Sequence, residues 1–392
     1  MTLKDHLIEF VGEANLSEAE VDCEAYSIDA STLSAYPLIV VWPPNDPEKI
    51  SYLVKYANRI NTPITLRGKG KGITGGAIGE GIILDLSRHT KISRLSVKDS
   101  WVEARAGTTI QELNTVLREQ SLFFPCIPLP STHTLGGLIS LNPIYYGQSY
   151  FGPLKNYLLE AEGVEGTGQH PDLDPEAILG TEGTTAIILS LKLKTTELVV
   201  QRSLSLSEFD ELPVALNAIS DIKKRKDLIG ITLTAGAASD IVGSQKSYAV
   251  LAEFASDHGE IQDLSTFAVA ESRFKNIISL LSERSYLFVE DAKLELEKLF
   301  DLEQWCFKKS LPLVCWPDLG VAFVKFTREQ EKLRDQFRIL IKKLNGELGC
   351  CFGHGRLKKK FVSGYKSNRV FRLKERMDYN NILGRGVIID YK

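Results

Sequence analysis

The sequence lacks the marks of several protein classes. No stretch approaches the ~18 consecutive apolar residues of a membrane-spanning helix, so none is expected. Its charges nearly cancel, 47 Lys and Arg against 50 Asp and Glu for a net −3, so no global field recruits nucleic acid. The six cysteines form no Cys-x-x-Cys pair. They read as free thiols in a reducing compartment, and the expected location is the cytoplasm. Met1–Glu24 carries acids throughout and has no apolar segment, which argues against a signal peptide.

Glycine, by contrast, is concentrated. Arg67-Gly68-Lys69-Gly70-Lys71-Gly72-Ile73-Thr74-Gly75-Gly76 holds five glycines in ten residues, between the strand-like runs Ile64–Leu66 and Ile82–Leu86. Such a loop can turn its backbone N–H groups inward as a nest for pyrophosphate oxygens, and a side chain at the glycines would hold the phosphate off. A flexible surface turn explains the composition equally well. No Gly-Lys-Ser/Thr closes the loop, so it is not a Walker A motif, and no helix pattern follows, so it is not a Rossmann fingerprint.

At 392 residues the chain has room for two or three domains. Leu38–Trp42 reads as a buried strand. Asp46 and Pro47 then open a helix whose apolar face is Ile50, Leu53, Val54 and Ala57. Trp101–Ala106 alternates like a half-buried strand, and Thr108 or Thr109 caps a helix with Ile110, Leu113, Val116 and Leu117 on one face. Strands are also predicted at Tyr157–Gly163 and Ala186–Leu193. The character changes near Ser203: helices are predicted over 209–223, 265–283, 292–309 and 328–344, and strands over 228–234, 248–254 and 321–326. A small α+β domain with antiparallel sheet follows from that succession. The tail carries Gly353-His354-Gly355-Arg356, then a basic helix, then Asn380-Asn381-Ile382-Leu383.

In order and spacing, these segments resemble the FAD-binding family of p-cresol methylhydroxylase and vanillyl-alcohol oxidase, nearest its glycolate oxidase and D-lactate dehydrogenase branch. Pro37–Pro43 is similar to the family's entry strand, Arg67–Gly76 to its pyrophosphate loop, and Ala106–Leu113 to its next element. Ser131 and Thr134-Leu135-Gly136-Gly137 are similar to its second flavin-contacting turn. Gly180-Thr181-Glu182-Gly183-Thr184 is similar to the turn before the strand along the adenine, with Ile187 and Ile188 on that strand. The resemblance implies an α+β fold: a two-subdomain FAD-binding domain of the p-cresol methylhydroxylase type with a small α+β cap. Residues 1–202 would bind FAD, 203–345 would cap it, and 346–392 would return to the first domain. It implies cofactor contacts from Arg67, Gly68, Lys69, Gly70, Lys71, Gly72, Ile73, Thr74, Gly75, Gly76, Ser131, Thr134, Leu135, Gly136, Gly137, Gly180, Glu182, Gly183, Ile187, Ile188 and Asn381.

Three departures shape the chemical expectation. No histidine stands in the glycine loop, so the FAD is expected to be non-covalent. Val164–Leu179 is shorter than the family's segment. The strand region Val314–Phe326 has no histidine, and Gly353 stands where metal-dependent members carry Glu. No catalytic metal is therefore expected. His354 is the candidate base, taking a hydroxyl proton while hydride goes to flavin N5, and Arg356 the candidate substrate carboxylate clamp. Each has a plain alternative: a structural histidine in a glycine turn, and the first charge of a solvated face. The basic run from Arg356 to Arg376 reads as such a face more readily than as a partner surface, and it has no aromatic interleaving of the kind that stacks nucleic acid. The resemblance implies oxidation of a small 2-hydroxy acid or related alcohol, with an unknown electron acceptor. The alternative is a non-catalytic or weakly catalytic FAD-binding relative, a partner subunit of a larger oxidase.

Overall fold

The computed structural model describes residues 2–127, 132–199, 202–241, 244–255 and 287–391. Ser131 and the helix expected over 265–283 lie outside them. The chain divides into two units, one of Met1–Pro143, Leu154–Glu197 and Cys351–Lys392, the other of Ile144–Pro153 and Leu198–Cys350.

Among the described residues, the first unit is built on two four-stranded sheets and a two-stranded pair. β1 (Leu16–Ser17), β2 (Ile39–Val41), β3 (Ile64–Arg67) and β4 (Ile82–Asp85) form one, in the order β1-β2-β4-β3. β2 and β3 both run parallel to β4. Every residue of β2 and β4 is buried, as expected of parallel strands covered on both faces. Between β2 and β3 runs the helix Pro47–Arg59. Asp46 starts it by accepting from the N–H groups of Glu48 (3.0 Å) and Lys49 (3.3 Å). Ile50, Leu53, Val54 and Ala57 are buried with Ile39, Val41, Ile82 and Leu84 in one core. The C-terminal segment joins this sheet: Ile64 N–H donates to Ile382 O (2.7 Å), and Gly384 N–H to Ile64 O (2.9 Å).

β5 (Ile92–Ser96), β6 (Trp101–Arg105), β7 (Leu122–Phe123), β8 (Leu158–Glu165), β9 (Ala186–Lys194) and β10 (Thr196–Glu197) complete the unit. An antiparallel sheet takes the order β5-β6-β9-β8, and β7 pairs with β10. Thr109 caps the helix Ile110–Arg118 in a reciprocal box with Glu112.

Among the described residues, the second unit is built on a seven-stranded antiparallel sheet. Its strands are β11 (Ser203–Phe209), β12 (Leu228–Ala235), β13 (Tyr248–Phe254), β14 (Leu287–Lys293), β15 (Leu313–Trp316), β16 (Val321–Thr327) and β17 (Glu347–Leu348), in the order β11-β13-β12-β15-β16-β14-β17. Two expectations change here. The helix expected from Ala292 begins at Leu299, because Ala292 and Lys293 are taken by seven residues of pairing between β14 and β16. The segment Ile144–Pro153, expected within the first domain, packs in the second. A Cβ on Gly230 would come within 2.7 Å of the Tyr146 ring, and Ser149 Oγ donates to Asp318 Oδ2 at 2.6 Å.

Candidate functional site

The glycine loop leaves β3 through a braced arginine. The Arg67 guanidinium lies 4.8 Å from the Tyr26 ring centroid and donates to the carbonyls of Ile28 (2.9 Å) and Ala77 (3.2 Å). Ala30 N–H donates to Gly72 O (3.1 Å), and a Cβ on Gly75 would meet Leu33 at 2.8 Å. The segment 26–33 thus cradles the loop. The sequence carries no glycine or basic signal there that would mark it.

With its outer side braced, the loop turns its donors elsewhere. The N–H groups of Gly72 through Gly76 donate to no carbonyl or side chain among the described residues. At Gly72 and Gly76 an added Cβ would meet nothing within 4 Å. Several N–H groups left over beside glycines with open space fit an anionic pyrophosphate. Lys69 and Lys71 are exposed, while Arg67 is spent on bracing.

The Gly353-His354-Gly355 turn closes onto the same loop. The N–H groups of Arg356 and Leu357 donate to Thr74 O at 2.9 and 3.1 Å. Gly355, at φ 51°, packs so tightly on Thr74 that a Cβ would come within 2.2 Å of its carbonyl oxygen. Arg356 donates through Nε (3.2 Å) and Nη2 (3.1 Å) to Ile78 O and through Nη1 (2.7 Å) to Arg385 O. Three of its five donor hydrogens bind the frame, leaving two for an anion.

Glu182 organises this turn. Its carboxylate is buried and accepts from Gly355 N–H (2.7 Å), His354 N–H (3.0 Å) and Lys366 Nζ (3.2 Å). Burial alone would push the carboxyl up. The Lys366 cation, His354 and the Gly355 N–H outweigh it and hold the group down at about 2. His354 is buried, with Nδ1 3.5 Å from Glu182 Oε1 and 3.4 Å from Lys366 Nζ. Sequence reading gave Glu182 to the cofactor, but the structure gives its carboxylate to the histidine turn.

The basic helix Gly364–Met377 is no solvated face along its length. Lys366 reaches Glu182, Arg369 Nη2 reaches the carbonyls of Glu176 and Leu179 (2.9 Å to Leu179), and Lys374 reaches Thr184 O (3.0 Å). Three cations of one helix thus grip residues 176–184. Lys374 also donates to Leu383 O (2.7 Å) and Asp378 Oδ2 (2.6 Å), and Asp378 accepts from the N–H groups of Ile382 and Leu383, both at 2.9 Å.

The remaining candidates divide. Thr134 caps the helix Leu135–Leu141, and its hydroxyl fills the space where a Gly68 Cβ would stand, 2.5 Å away, so this turn touches the glycine loop. The turn's own donors go to protein: Leu135 N–H to Thr108 O, Gly136 N–H to Ala106 O, both at 2.8 Å, and Gly137 N–H to Thr134 Oγ1 at 3.3 Å. Gly180 (φ 70°) and Gly183 (φ 75°) flank Glu182 in left-handed backbone, while Ile187 and Ile188 are buried on β9. Asn381 stands apart. It precedes the residue bonded to Ile64, at the start of β3, whereas the glycine loop leaves the end of that strand, and its amide donates to Tyr391 O at 2.9 Å.

Residues 37–174 match the model of an FAD binding domain. The chain is similar to a D-lactate dehydrogenase of Archaeoglobus fulgidus, 26% identical over 200 residues that make up 47% of this chain and 45% of that protein. It is also similar to a D-2-hydroxyglutarate dehydrogenase of Escherichia coli, 30% identical over 188 residues, 45% of this chain and 18% of that protein. The matched part thus spans less than half the length of either relative. Among solved structures, an alkyldihydroxyacetonephosphate synthase superposes with a TM-score of 0.74 at 16% identity, covering 97% of this chain and 83% of that one. The fold is that of the p-cresol methylhydroxylase type. Among the described residues, no helix is long and apolar enough to cross a membrane.

Proposed function

Starting from the FAD-binding domain that residues 37–174 carry, we propose that this chain is an FAD-dependent oxidoreductase acting on a small 2-hydroxy acid or related alcohol, without a catalytic metal. The observation that carries the reading is the meeting of three segments in the first unit. The glycine loop with its uncommitted N–H groups, the Gly-His-Gly turn and the Glu182 turn are bonded to one another. The D-lactate and D-2-hydroxyglutarate dehydrogenases among its relatives support the substrate class.

The residues divide the work. Gly72 to Gly76 hold the pyrophosphate by backbone N–H groups. When bound, FAD supplies the two-electron acceptor for the hydride leaving the substrate carbon. His354 takes the hydroxyl proton at Nε2. The two remaining N–H groups of Arg356 receive the substrate carboxylate. The FAD is held non-covalently, since the loop offers neither His nor Cys. A location in the cytoplasm and an electron acceptor outside this chain complete the reading.

Acid precipitation of the holoprotein tests the cofactor claim. Flavin should appear in the supernatant, and flavin that stays with the pellet contradicts it. His354→Asn tests the chemistry: FAD should stay bound while its anaerobic reduction by substrate slows by on the order of 10²–10⁴-fold, the usual share of a positioned base. Reduction at the parent rate would return His354 to a structural part.

A further inference from the structure

Resting on the reading of His354 as proton acceptor, we propose that Glu182 is the positioning residue that makes it one: its carboxylate keeps the imidazole proton on Nδ1 and so leaves Nε2 free for the substrate. A neutral imidazole carries one proton, and the partner of one nitrogen decides which nitrogen holds it. Glu182 Oε1 lies 3.5 Å from Nδ1. The same carboxylate fixes the ring's backbone through the His354 and Gly355 N–H groups at 3.0 and 2.7 Å. One side chain therefore sets both the place of the imidazole and its tautomer.

The backbone supports a built arrangement. Glu182 is a non-glycine residue in left-handed conformation, φ 53°, between glycines that take the same hand. Such strain is kept where the surroundings dictate it and clusters at functional positions. With burial opposed by Lys366 and the N–H donors, the carboxyl stays ionised through the neutral range and remains an acceptor.

Lys366 is the competitor. Its ammonium lies 3.4 Å from Nδ1, and a hydrogen bond there would force the proton to Nε2 and end the base role. Its three donors could serve both groups, but it lies closer to Glu182 Oε1, at 3.2 Å, and the carboxylate is the stronger acceptor for a cation. We therefore assign Lys366 to Glu182 and the Nδ1 proton to the same carboxylate. In the reaction the substrate O–H bond breaks, its proton joins Nε2, and the Nδ1–H stays on Oε1. The imidazolium so formed sits against a carboxylate; the O–H electron pair becomes the second bond of the product C=O, and the C–H bond breaks with its own pair leaving as the hydride that bound FAD would accept.

The tautomer can be read directly. Long-range ¹H–¹⁵N spectra of the histidine-labelled holoprotein, assigned by the signals lost in His354→Asn, should show a protonated Nδ1 and a bare Nε2. In Glu182→Gln the amide N–H₂ replaces the acceptor, and the proton should move to Nε2. FAD should be retained while its reduction falls by on the order of 10²–10⁴-fold, as when an orienting carboxylate becomes an amide in a catalytic triad. Lys366→Met should keep the Nδ1 proton, and this variant serves if Glu182→Gln fails to fold. A protonated Nε2 in the parent, or an unmoved proton in Glu182→Gln, overturns the proposal. Those outcomes leave the base reading to its own test, since an unslowed His354→Asn sinks that reading whatever the tautomer.

Discussion

The carboxylate of Glu182 accepts a hydrogen bond from the Gly355 N–H at 2.7 Å, across 173 positions of sequence. That bond joins the turn before β9 to the turn that carries His354. Because Gly355 also packs on Thr74, the two turns and the glycine loop are in direct contact. Cofactor retention and proton transfer should therefore share structural dependencies.

Two glycine substitutions in the loop should differ in kind. Gly70 sits at φ 62°, and a Cβ there would come within 2.6 Å of Arg67 Nη2. Gly70→Val should disturb the brace itself and lower the melting temperature. Gly72 takes an ordinary φ with nothing within 4 Å of a Cβ, so Gly72→Val should melt like the parent apoprotein yet lose FAD. Flavin content and thermal melts of both apoproteins check this, and full flavin in Gly72→Val would place the pyrophosphate elsewhere.

The buried pair Lys374–Asp378 should matter for stability. Its Nζ and Oδ2 are 2.6 Å apart in side chains 2% and 0% exposed. Burial pulls the lysine down and pushes the aspartate up, and the partner ion, with the Ile382 and Leu383 N–H groups on the aspartate, opposes it. Asp378→Ala leaves a buried cation and two unsatisfied N–H groups, and should cost about 3–5 kcal/mol in urea unfolding. A loss under about 1 kcal/mol would mean that the segment re-pairs with water.

Glu182 predicts the sign of a pH effect. Its carboxyl is held at about 2 when folded, below an ordinary 4.5. A depressed carboxyl contributes stability above the unfolded value and loses it as pH falls through the folded one. The stability gap between the parent and Glu182→Gln should thus be full at pH 6 and shrink at pH 3, measured by urea unfolding. A gap that widens on acidification contradicts the assignment.

Arg356 predicts a split in kinetics. Its fork spans Ile78 O and Arg385 O while offering two further N–H groups, and a lysine cannot do both. Arg356→Lys should raise KM for a carboxylate substrate more than it lowers kcat. An unchanged KM would confine the arginine to holding the frame.

Which parts of this were legible in the sequence follows from physical range. Helix starts such as Asp46-Pro47 and Thr109 with Glu112 were readable, because capping acts over three or four residues. The glycine loop was readable because composition alone marks backbone freedom. The role of Glu182 was not, since its partners lie 172 and 173 positions away. The lysines and arginine of Gly364–Met377 looked solvated for a related reason. A cation that binds a carbonyl oxygen leaves no hydrophobic period behind. The segment 26–33 was missed because it braces the loop through its own backbone groups, the Tyr26 ring and Leu33, which carry no motif.

The proposed activity of this chain is the oxidation of 2-hydroxy acids with bound FAD. Anaerobic titration of the yellow holoprotein with a panel of 2-hydroxy acids, including D-lactate and D-2-hydroxyglutarate, tests it most directly. At least one should bleach the oxidised flavin band stoichiometrically in the parent and far more slowly in His354→Asn. A parent protein whose flavin stays oxidised against the whole panel, or one that takes up no FAD, would contradict the account.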